Sequence, residues 1–463
     1  MVFSSFKFIF IFIPVFFGFY YAVPGKSRNI ILLFGSLVFY FVGALHTPEH
    51  FVLLLVSILA DFYAGLMIEK SPKHKKAVLT AGVLFHLVSL GFFKYGNFIS
   101  QEFSKAFGTE SGLNIILPLG ISFYTFQGIS YIADVYRGKI RAEQSLLKFS
   151  VYISMFEQLI AGPIVTYGEI KPELDKRQIT KAEFLNGLGT FIFGLGLKVL
   201  LANPLGKLFT KTSYIGFDSI STALAWLAAI AFSLQLFLDF YGYSIMAQGL
   251  GEMLGFKIPR NFNFPYISRS VTEFWRRWHI SLGNFFREYV YIPLGGNRRG
   301  PGRVILNLLT VWCLTGIWHG AGYNFLIWGL LLFVLITLEK FLIGDFLDRH
   351  KIVSRIYMLI LVPLSWSVFA ITDMGELTVF LGRLFPFLSK TSGTVYAGDF
   401  MKYLSMYYPF LIIGSLMSLP YPYRLLKKLK NRYLQFVIVL LILLGSLYCM
   451  YRGFDDPFLY FRF

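Results

Sequence analysis

Apolar residues form long uninterrupted runs from one end of the chain to the other. A helix of about 20 apolar residues is long enough to cross the hydrocarbon layer of a bilayer. Inside hydrocarbon every backbone N–H and C=O group must be paired within the protein, so continuous runs of this kind predict helices. The runs cover residues 8–23, 29–45, 51–67, 77–93, 115–136, 187–202, 220–246, 304–343, 356–371, 408–419 and 436–450.

This pattern predicts an all-α integral membrane protein. We expect a polytopic helical bundle of roughly ten to thirteen membrane segments, with short, re-entrant or interfacial helices in the centre. A transmembrane β-barrel is excluded, because its strands alternate between apolar and polar residues. The sequence has no internal repeat and no low-complexity linker, and it therefore predicts one membrane domain over residues 1–463.

Composition and charge agree with the membrane assignment. Hydrophobic residues make up 56% of the chain and charged residues 15%, whereas soluble domains carry about 25% charged residues. The formal net charge of +18 comes largely from basic residues in short loops between apolar runs, as the positive-inside rule describes. We therefore expect these basic residues to lie beside the lipid bilayer, and we expect no nucleic acid partner. The two cysteines, Cys313 and Cys449, have no metal-ligand spacing, so no metal site is expected.

Residues 257–303 form the most polar region between apolar runs, and within it residues 270–291 predict one amphipathic helix. Ser270 and Glu273 have the spacing of a capping box. The predicted helix carries charged residues on one side and an apolar stripe on the other, which rules against a lipid-exposed span. Such a helix lies at the membrane interface or lines a cavity walled by protein; an interfacial helix without chemistry is the alternative. The stripe consists of Trp275, Trp278, Leu282, Phe285 and Tyr289.

Two histidines are candidates for chemistry. His319 lies inside the run 304–343, which is long enough for two helices, and Gly320 to Gly322 are the natural break because glycine tolerates the left-handed conformation that ends many helices. His319 would then sit at a helix end deep in the membrane layer, where an imidazole is suited to proton transfer. A structural histidine that ties two helices together is the alternative. His279, beside the stripe, is by pattern alone a hydrogen-bonded structural residue.

Asp239 is a lone carboxylate in the run 220–246. A charge at this depth needs a partner, such as an arginine or a helix amino terminus. Asp239 either orients a catalytic group or braces neighbouring helices, and the sequence leaves both interpretations open. Nucleophile-elbow, P-loop and zinc-protease motifs are absent from the sequence.

Several blocks in this region resemble the membrane-bound O-acyltransferase family, and in particular its alginate O-acetylation branch. The main blocks are residues 274–282 (FWRRWHISL), 291–298 (YIPLGGNR) and 318–321 (WHGA). Supporting segments are residues 118–127, 158–164 and 261–266. Together they place a signature core at residues 118–329, in the order expected for the family.

The resemblance implies an O-acyltransferase that takes an acyl group from a cytoplasmic thioester and passes it to a hydroxyl, often across the membrane. His319 matches the catalytic histidine of the family and His279 the histidine of its second signature. The expected donor is a co-substrate, acetyl-CoA or an acyl carrier protein thioester, and no bound cofactor is expected. Supporting or donor-binding candidates are Asp239, Arg276, Arg277, Trp278, Asn297, Arg298 and Trp318.

In the alginate-type branch the acyl group is acetyl and the final acceptor is an exopolysaccharide, reached directly or through a relay acetyltransferase on the outer side. The resemblance therefore implies a multi-pass protein of a bacterial cell membrane. Transfer of D-alanine to teichoic acids is the second possibility, since that branch shares the Trp-His elements but generally lacks a block like residues 291–298. Two other classes stay open: a transporter of a polymer intermediate and a non-catalytic scaffold of a synthesis complex. The chain departs from the branch pattern at Glu157, Ile245 and residues 366–369.

Overall fold

The computed structural model describes residues 2–109, 112–160, 162–387, 395–429 and 431–453. Ala161, in the supporting segment 158–164, lies outside the described residues. Over these ranges the regular structure is helical and no strand is formed. The prediction of an all-α fold is confirmed, as expected when each apolar segment has to pair its own backbone groups.

Every predicted run contains helix, although the helix of the run 115–136 begins only at Ile121. The first α-helices are α1 (Ile13–Ala22), α2 (Arg28–Gly43), α3 (Pro48–Lys70), α4 (Lys75–Phe107), α5 (Ile121–Tyr136), α6 (Leu146–Ser154), α7 (Phe156–Leu159), α8 (Tyr167–Asp175), α9 (Lys181–Gly196), α10 (Asn203–Ile215) and α11 (Thr222–Leu254). They are followed by α12 (Val271–Arg277), α13 (Ile280–Phe286), α14 (Pro301–His319), α15 (Tyr323–Leu338), α16 (Gly344–Arg349), α17 (Lys351–Ala370), α18 (Met374–Leu384), α19 (Asp399–Met417), α20 (Pro420–Lys428) and α21 (Arg432–Tyr451).

Wider π-helical turns and tight 3₁₀ turns extend or connect these helices. The π-helical segments are Phe8–Phe12, Leu197–Ala202, Arg287–Tyr291 and Glu339–Ile343, and the 3₁₀ turns are Gly25–Ser27, Phe217–Ser219 and Pro265–Ile267. Within the described ranges, eight helical stretches are long and apolar enough to cross a membrane, and Phe8–Ala22 is a shorter apolar helix. The eight are Gly25–Gly43, Pro48–Lys70, Lys75–Phe107, Lys181–Ile215, Thr222–Leu254, Tyr323–Arg349, Lys351–Ala370 and Arg432–Tyr451.

The chain divides into two compact units. Unit 1 comprises Met1–Phe191, Met246–Arg260 and Asn284–Tyr289, and aromatic rings of Phe8, Phe39 and Phe156 pack together in its core. Unit 2 comprises Ile192–Ile245, Asn261–Gly283 and Val290–Phe463. All the candidate site residues belong to unit 2. That residues 1–463 act as one membrane domain stays a prediction.

The predicted single helix over residues 270–291 is wrong, because the structure breaks it at Trp278 and His279. His279 has a backbone φ of +44°, a left-handed conformation that a helix interior does not contain. The loop from Asn261 to Asn263 replaces helical hydrogen bonds at the break: Ile280 N–H donates to the Asn261 carbonyl (2.9 Å), and Asn263 N–H donates to the Arg277 carbonyl (2.9 Å). Contacts between distant segments thus override the local periodicity.

The amino terminus of α12 is capped nearly as predicted. The Ser270 hydroxyl accepts a hydrogen bond from Glu273 N–H at 3.0 Å. The Glu273 carboxylate accepts from Arg269 N–H at 2.8 Å, one residue before the position that the capping box predicts. The cap therefore uses both predicted side chains and shifts one of their two bonds.

The predicted break in the run 304–343 is confirmed, since α14 ends at His319 and α15 begins at Tyr323. The predicted left-handed glycine is wrong: Gly320 has φ −172° and ψ 166°, an extended conformation that other residues also adopt. Glycine is needed there for space, because a Cβ atom at this position would overlap the ring of Phe325. Close packing of the two helices, and not backbone handedness, therefore accounts for Gly320.

Candidate active site

His319 is the last residue of α14 and is buried within unit 2. Its imidazole is surrounded by three aromatic rings, with centroid separations of 4.8 Å to Trp318, 5.0 Å to Trp328 and 5.2 Å to Phe369. The Trp328 and Phe369 rings are almost perpendicular to it, at 87° and 85°. The predicted location at a helix end is therefore confirmed, and the rings restrict the orientation of the imidazole. That this helix end lies deep in the membrane layer stays a prediction.

Tryptophan side chains build the surroundings of this histidine. The chain has seven tryptophans. Five of them contact one another, and the sixth, Trp318, joins them through His319, with ring centroid separations between 4.8 and 6.4 Å. The six are Trp275, Trp278, Trp312, Trp318, Trp328 and Trp366. Large rigid rings with few rotatable bonds hold their neighbours in place at a small entropic cost. The sequence singled out Trp275, Trp278 and Trp318, and it missed the other three as parts of the site.

His279 is also buried, and Asn261 fixes its protonation. Nδ1 of His279 lies 3.2 Å from Oδ1 of Asn261. The same oxygen accepts from Ser281 N–H at 3.2 Å and from the Ser281 hydroxyl at 2.9 Å. Because this oxygen acts as an acceptor, Nδ1 carries the proton of the neutral imidazole and Nε2 is the basic nitrogen.

Burial disfavours the charged form of His279. It lowers the pKa of this side chain to about 3 from the usual 6.5, since taking a cation out of water is costly. The ring of Phe240 stands 4.8 Å away at 86° and contributes no charge that would offset this effect. His279 is therefore a neutral imidazole with one defined tautomer at neutral pH.

Trp318 connects the two histidines. Its ring centroid lies 4.8 Å from that of His319 and 6.2 Å from that of His279. The structure thus brings together three residues from two separate sequence blocks, with Asn261 from a third supporting segment. We conclude that two of the three main blocks, residues 274–282 and 318–321, meet within unit 2.

Asp239 forms an ion pair with Lys198. The Lys198 Nζ atom lies 2.6 Å from Oδ1 of Asp239, and both side chains are buried. The expectation that this carboxylate needs a partner is confirmed, and the partner is a lysine from the π-helical segment Leu197–Ala202. Lys198 could have been found as the lone cation of the run 187–202. Asp239 is next to Phe240, whose ring packs against His279.

Glu339 is another buried carboxylate that the sequence analysis missed. It accepts hydrogen bonds from Val271 N–H (2.6 Å), from Thr272 N–H (2.8 Å) and from the Thr272 hydroxyl (2.6 Å). These donors form the first turn of α12, where a negative charge is stabilised by the helix dipole. Glu339 therefore joins the end of the run 304–343 to the helix that carries the Trp-Arg-Arg-Trp-His block.

The three candidate arginines differ in their surroundings. Arg277 is held by Glu273, with Nη2–Oε1 and Nε–Oε1 distances of 2.8 and 2.9 Å, and it also donates to the Asn263 carbonyl at 3.1 Å. Arg276 and Arg298 are exposed. Arg277 is thus engaged in holding α12, whereas Arg276 and Arg298 are exposed on the protein surface.

Asn297 stands in the exposed loop that precedes α14. Its Oδ1 accepts a hydrogen bond from the Tyr291 hydroxyl at 2.7 Å and from Lys340 Nζ at 3.4 Å. The second contact brings Lys340, from the π-helical segment Glu339–Ile343, to this loop. Asn297 is therefore not among the residues packed around His319, and its surroundings are polar and basic.

This helical membrane protein has a histidine that is buried beside tryptophan rings at a helix break. These features are those of a membrane enzyme. The sequence profile of MBOAT, the membrane-bound O-acyltransferase family, matches residues 139–373. The chain belongs to this family. It is a multi-pass membrane protein and an O-acyltransferase.

Three curated relatives illustrate the range of similarity. The chain is 38% identical to the probable alginate O-acetylase of Azotobacter vinelandii over 396 residues, which is 84% of this chain and 78% of the relative. It is 36% identical to the peptidoglycan O-acetyltransferase of Helicobacter pylori over 366 residues, 72% of this chain and 69% of the relative. It is 30% identical to the teichoic acid D-alanyltransferase of Bacillus subtilis over 242 residues, 49% of this chain and 60% of the relative.

Proposed function

We propose that this O-acyltransferase moves an acetyl group from a cytoplasmic thioester to hydroxyl groups of an extracytoplasmic polysaccharide, with His319 as the general base. The observation that carries the proposal is the burial of His319 at the end of α14 among aromatic rings. The names of two relatives, which describe O-acetylation of alginate and of peptidoglycan, support acetyl as the group and a polysaccharide as the acceptor.

The reaction forms an ester carbon–oxygen bond, breaks the thioester carbon–sulfur bond and moves the hydroxyl proton to the thiolate. An imidazole nitrogen of His319 takes the proton of the acceptor hydroxyl while the hydroxyl oxygen attacks the carbonyl carbon of the thioester. The carbon–sulfur bond then breaks, and the proton passes from His319 to the departing thiolate. General-base assistance of this kind contributes about 10²–10⁴ in rate. Neutral His279, with Nε2 as an acceptor, orients the hydroxyl.

The donor is a co-substrate, acetyl-CoA or an acyl carrier protein thioester, and no bound cofactor takes part. Both donors carry phosphate groups, which guanidinium groups bind well. The exposure of Arg276 and Arg298 supports these two side chains as the donor-binding pair. On the outer side the acceptor is the polysaccharide itself or a relay acetyltransferase.

The decisive experiment compares cells that carry wild-type protein with cells that carry His319→Ala, at equal protein abundance in the membrane. We expect the O-acetyl content of the exported polysaccharide to fall by at least 100-fold, as loss of a general base predicts, while polymer export continues. His46→Ala is the matched control, since His46 is exposed in unit 1, and it should leave O-acetylation unchanged.

Other results of the same experiment would favour a scaffold, a transporter or a D-alanyltransferase. Normal O-acetylation in His319→Ala, with D-alanine on teichoic acid also unchanged, would reject His319 as the base and favour a scaffold. Loss of polymer export would favour a transporter of a polymer intermediate. Unchanged O-acetylation together with lost D-alanine on teichoic acid would favour the D-alanyl reaction, in line with the similarity to the Bacillus subtilis relative.

A further inference from the structure

A cavity of about 800 Å³ lies within unit 2, away from the histidines and tryptophans of the active site. Its walls come from the end of α9, from the π-helical segment Leu197–Ala202, from α10, from α19 and from α21. The volume falls within the range of about 300–1,000 Å³ that is typical of small-molecule sites. Nothing in the acyl-transfer reaction requires this space.

The cavity lining contains two charged residues, both of them lysines. They are Lys207 and Lys211, which are spaced i, i+4 on one face of α10. The Lys211 ammonium lies 5.7 Å from the ring centroid of Tyr407, which also lines the cavity. The rest of the wall is apolar and includes Phe193, Phe410 and Ile413, and the described lining residues contain no carboxylate. The site therefore attracts an anion that carries a long apolar group.

The length of the cavity matches one leaflet of a bilayer. Along α19 the lining residues run from Met406 to Met417, an advance of eleven residues, or about 16 Å at 1.5 Å per residue. Half of the hydrocarbon thickness of a bilayer is about 15 Å. Lys207 and Lys211 are exposed near the carboxyl end of the candidate span Lys181–Ile215. This is the position where lysine side chains reach the headgroup layer.

We propose that this cavity is a binding site for an anionic phospholipid. One acyl chain lies along the apolar wall between α10, α19 and α21, and the phosphate lies between the ammonium groups of Lys207 and Lys211. Charge selects anionic over zwitterionic lipid, because a zwitterionic headgroup brings its own cation to the two lysines.

Native mass spectrometry of the full chain in detergent, titrated with phosphatidylglycerol or phosphatidylcholine, tests the proposal. The wild-type chain should retain one phosphatidylglycerol molecule more tightly than phosphatidylcholine. The double variant Lys207→Gln/Lys211→Gln should bind phosphatidylglycerol about 30-fold more weakly, as expected for two lysines at the headgroup layer. The matched control Lys73→Gln/Lys76→Gln removes two exposed lysines of unit 1 and should leave binding unchanged.

A second variant separates the cavity from general surface charge. Ile413→Trp keeps both lysines and fills the apolar wall, so it should also lose phosphatidylglycerol while eluting as wild-type protein in size-exclusion chromatography. Equal binding of the two lipids to wild-type protein would overturn the proposal. Unchanged phosphatidylglycerol binding in either variant would do the same. Displacement of the lipid by millimolar inorganic phosphate would assign the lysines to a free anion and also reject the lipid site.

Discussion

Asn261 Oδ1 lies 3.2 Å from Nδ1 of His279, and this single oxygen also accepts from the two donors of Ser281. The contact joins two residues from different sequence blocks that are 18 positions apart in the chain. It determines which nitrogen of His279 carries the proton, and the Asn261 carbonyl holds the chain break beside the histidine by accepting from Ile280 N–H. One asparagine thus sets both the tautomer and the backbone conformation of a signature residue.

Asn261→Ala should therefore reduce acyl transfer more than it reduces stability. The substitution leaves the buried donors of His279 and Ser281 without their acceptor, at a cost of about 1–3 kcal/mol for an unsatisfied group. We expect transfer per folded protein to fall by about 10- to 100-fold, which is the usual effect of removing a partner that orients a functional histidine. Asn261→Asp retains an acceptor oxygen and should keep more activity than Asn261→Ala. Equal activity of wild type and Asn261→Ala would contradict this role.

Variants of the buried pair of Lys198 and Asp239 test whether Asp239 braces neighbouring helices or orients a reacting group. Removing one partner leaves a buried charge uncompensated and should destabilise the protein by about 3–5 kcal/mol. The double variant Lys198→Met/Asp239→Leu removes both charges and should recover most of that loss, measured by unfolding in mixed micelles. If the pair only braces helices, the double variant retains acyl transfer. If Asp239 orients a reacting group, the double variant is stable and inactive.

Stability should depend on pH through His279. Its pKa is about 3 in the folded protein and 6.5 in the unfolded chain. Between these values the unfolded chain binds a proton that the folded protein does not, so stability is complete above pH 6.5 and falls as the pH decreases. At pH 5 the loss from this residue is about 2 kcal/mol.

The measurement is the free energy of unfolding between pH 7 and pH 5 for wild type and for His279→Gln, in the same detergent. Glutamine does not titrate, so the wild-type protein should lose about 2 kcal/mol more than the variant over this interval. Parallel curves for the two proteins would show that His279 does not stay neutral when folded.

Substitution of the exposed arginines and of the paired arginine should affect the KM for the thioester donor differently. Arg276→Gln and Arg298→Gln should raise the apparent KM for the thioester donor several-fold, since each loses one cation that attracts phosphate, and should leave kcat and stability near wild type. Arg277→Gln breaks the partly exposed pair with Glu273 and should cost up to about 1 kcal/mol of stability, with little change in donor KM. The reverse pattern would move the donor site to Arg277.

Much of this architecture was predictable because a bilayer constrains sequence locally. In the hydrocarbon layer no water is available to hydrogen-bond backbone N–H and C=O groups. Long apolar runs therefore form helices, in which these groups bond to one another. The run 304–343 is too long for one span, and its cluster of glycines marked the break beside His319. The location of His319 at the end of α14 followed from run length and glycine position alone.

The arrangement within the site was decided by tertiary contacts, which local periodicity does not encode. The apolar stripe of residues 270–291 predicted one helix, yet hydrogen bonds from the loop of Asn261 and Asn263 break it at His279. The partner of Asp239 lies 41 residues earlier in the chain, and Glu339 reaches a helix start 68 residues away. Burial makes each of these polar groups take a partner. Which partner it takes depends on how the helices pack.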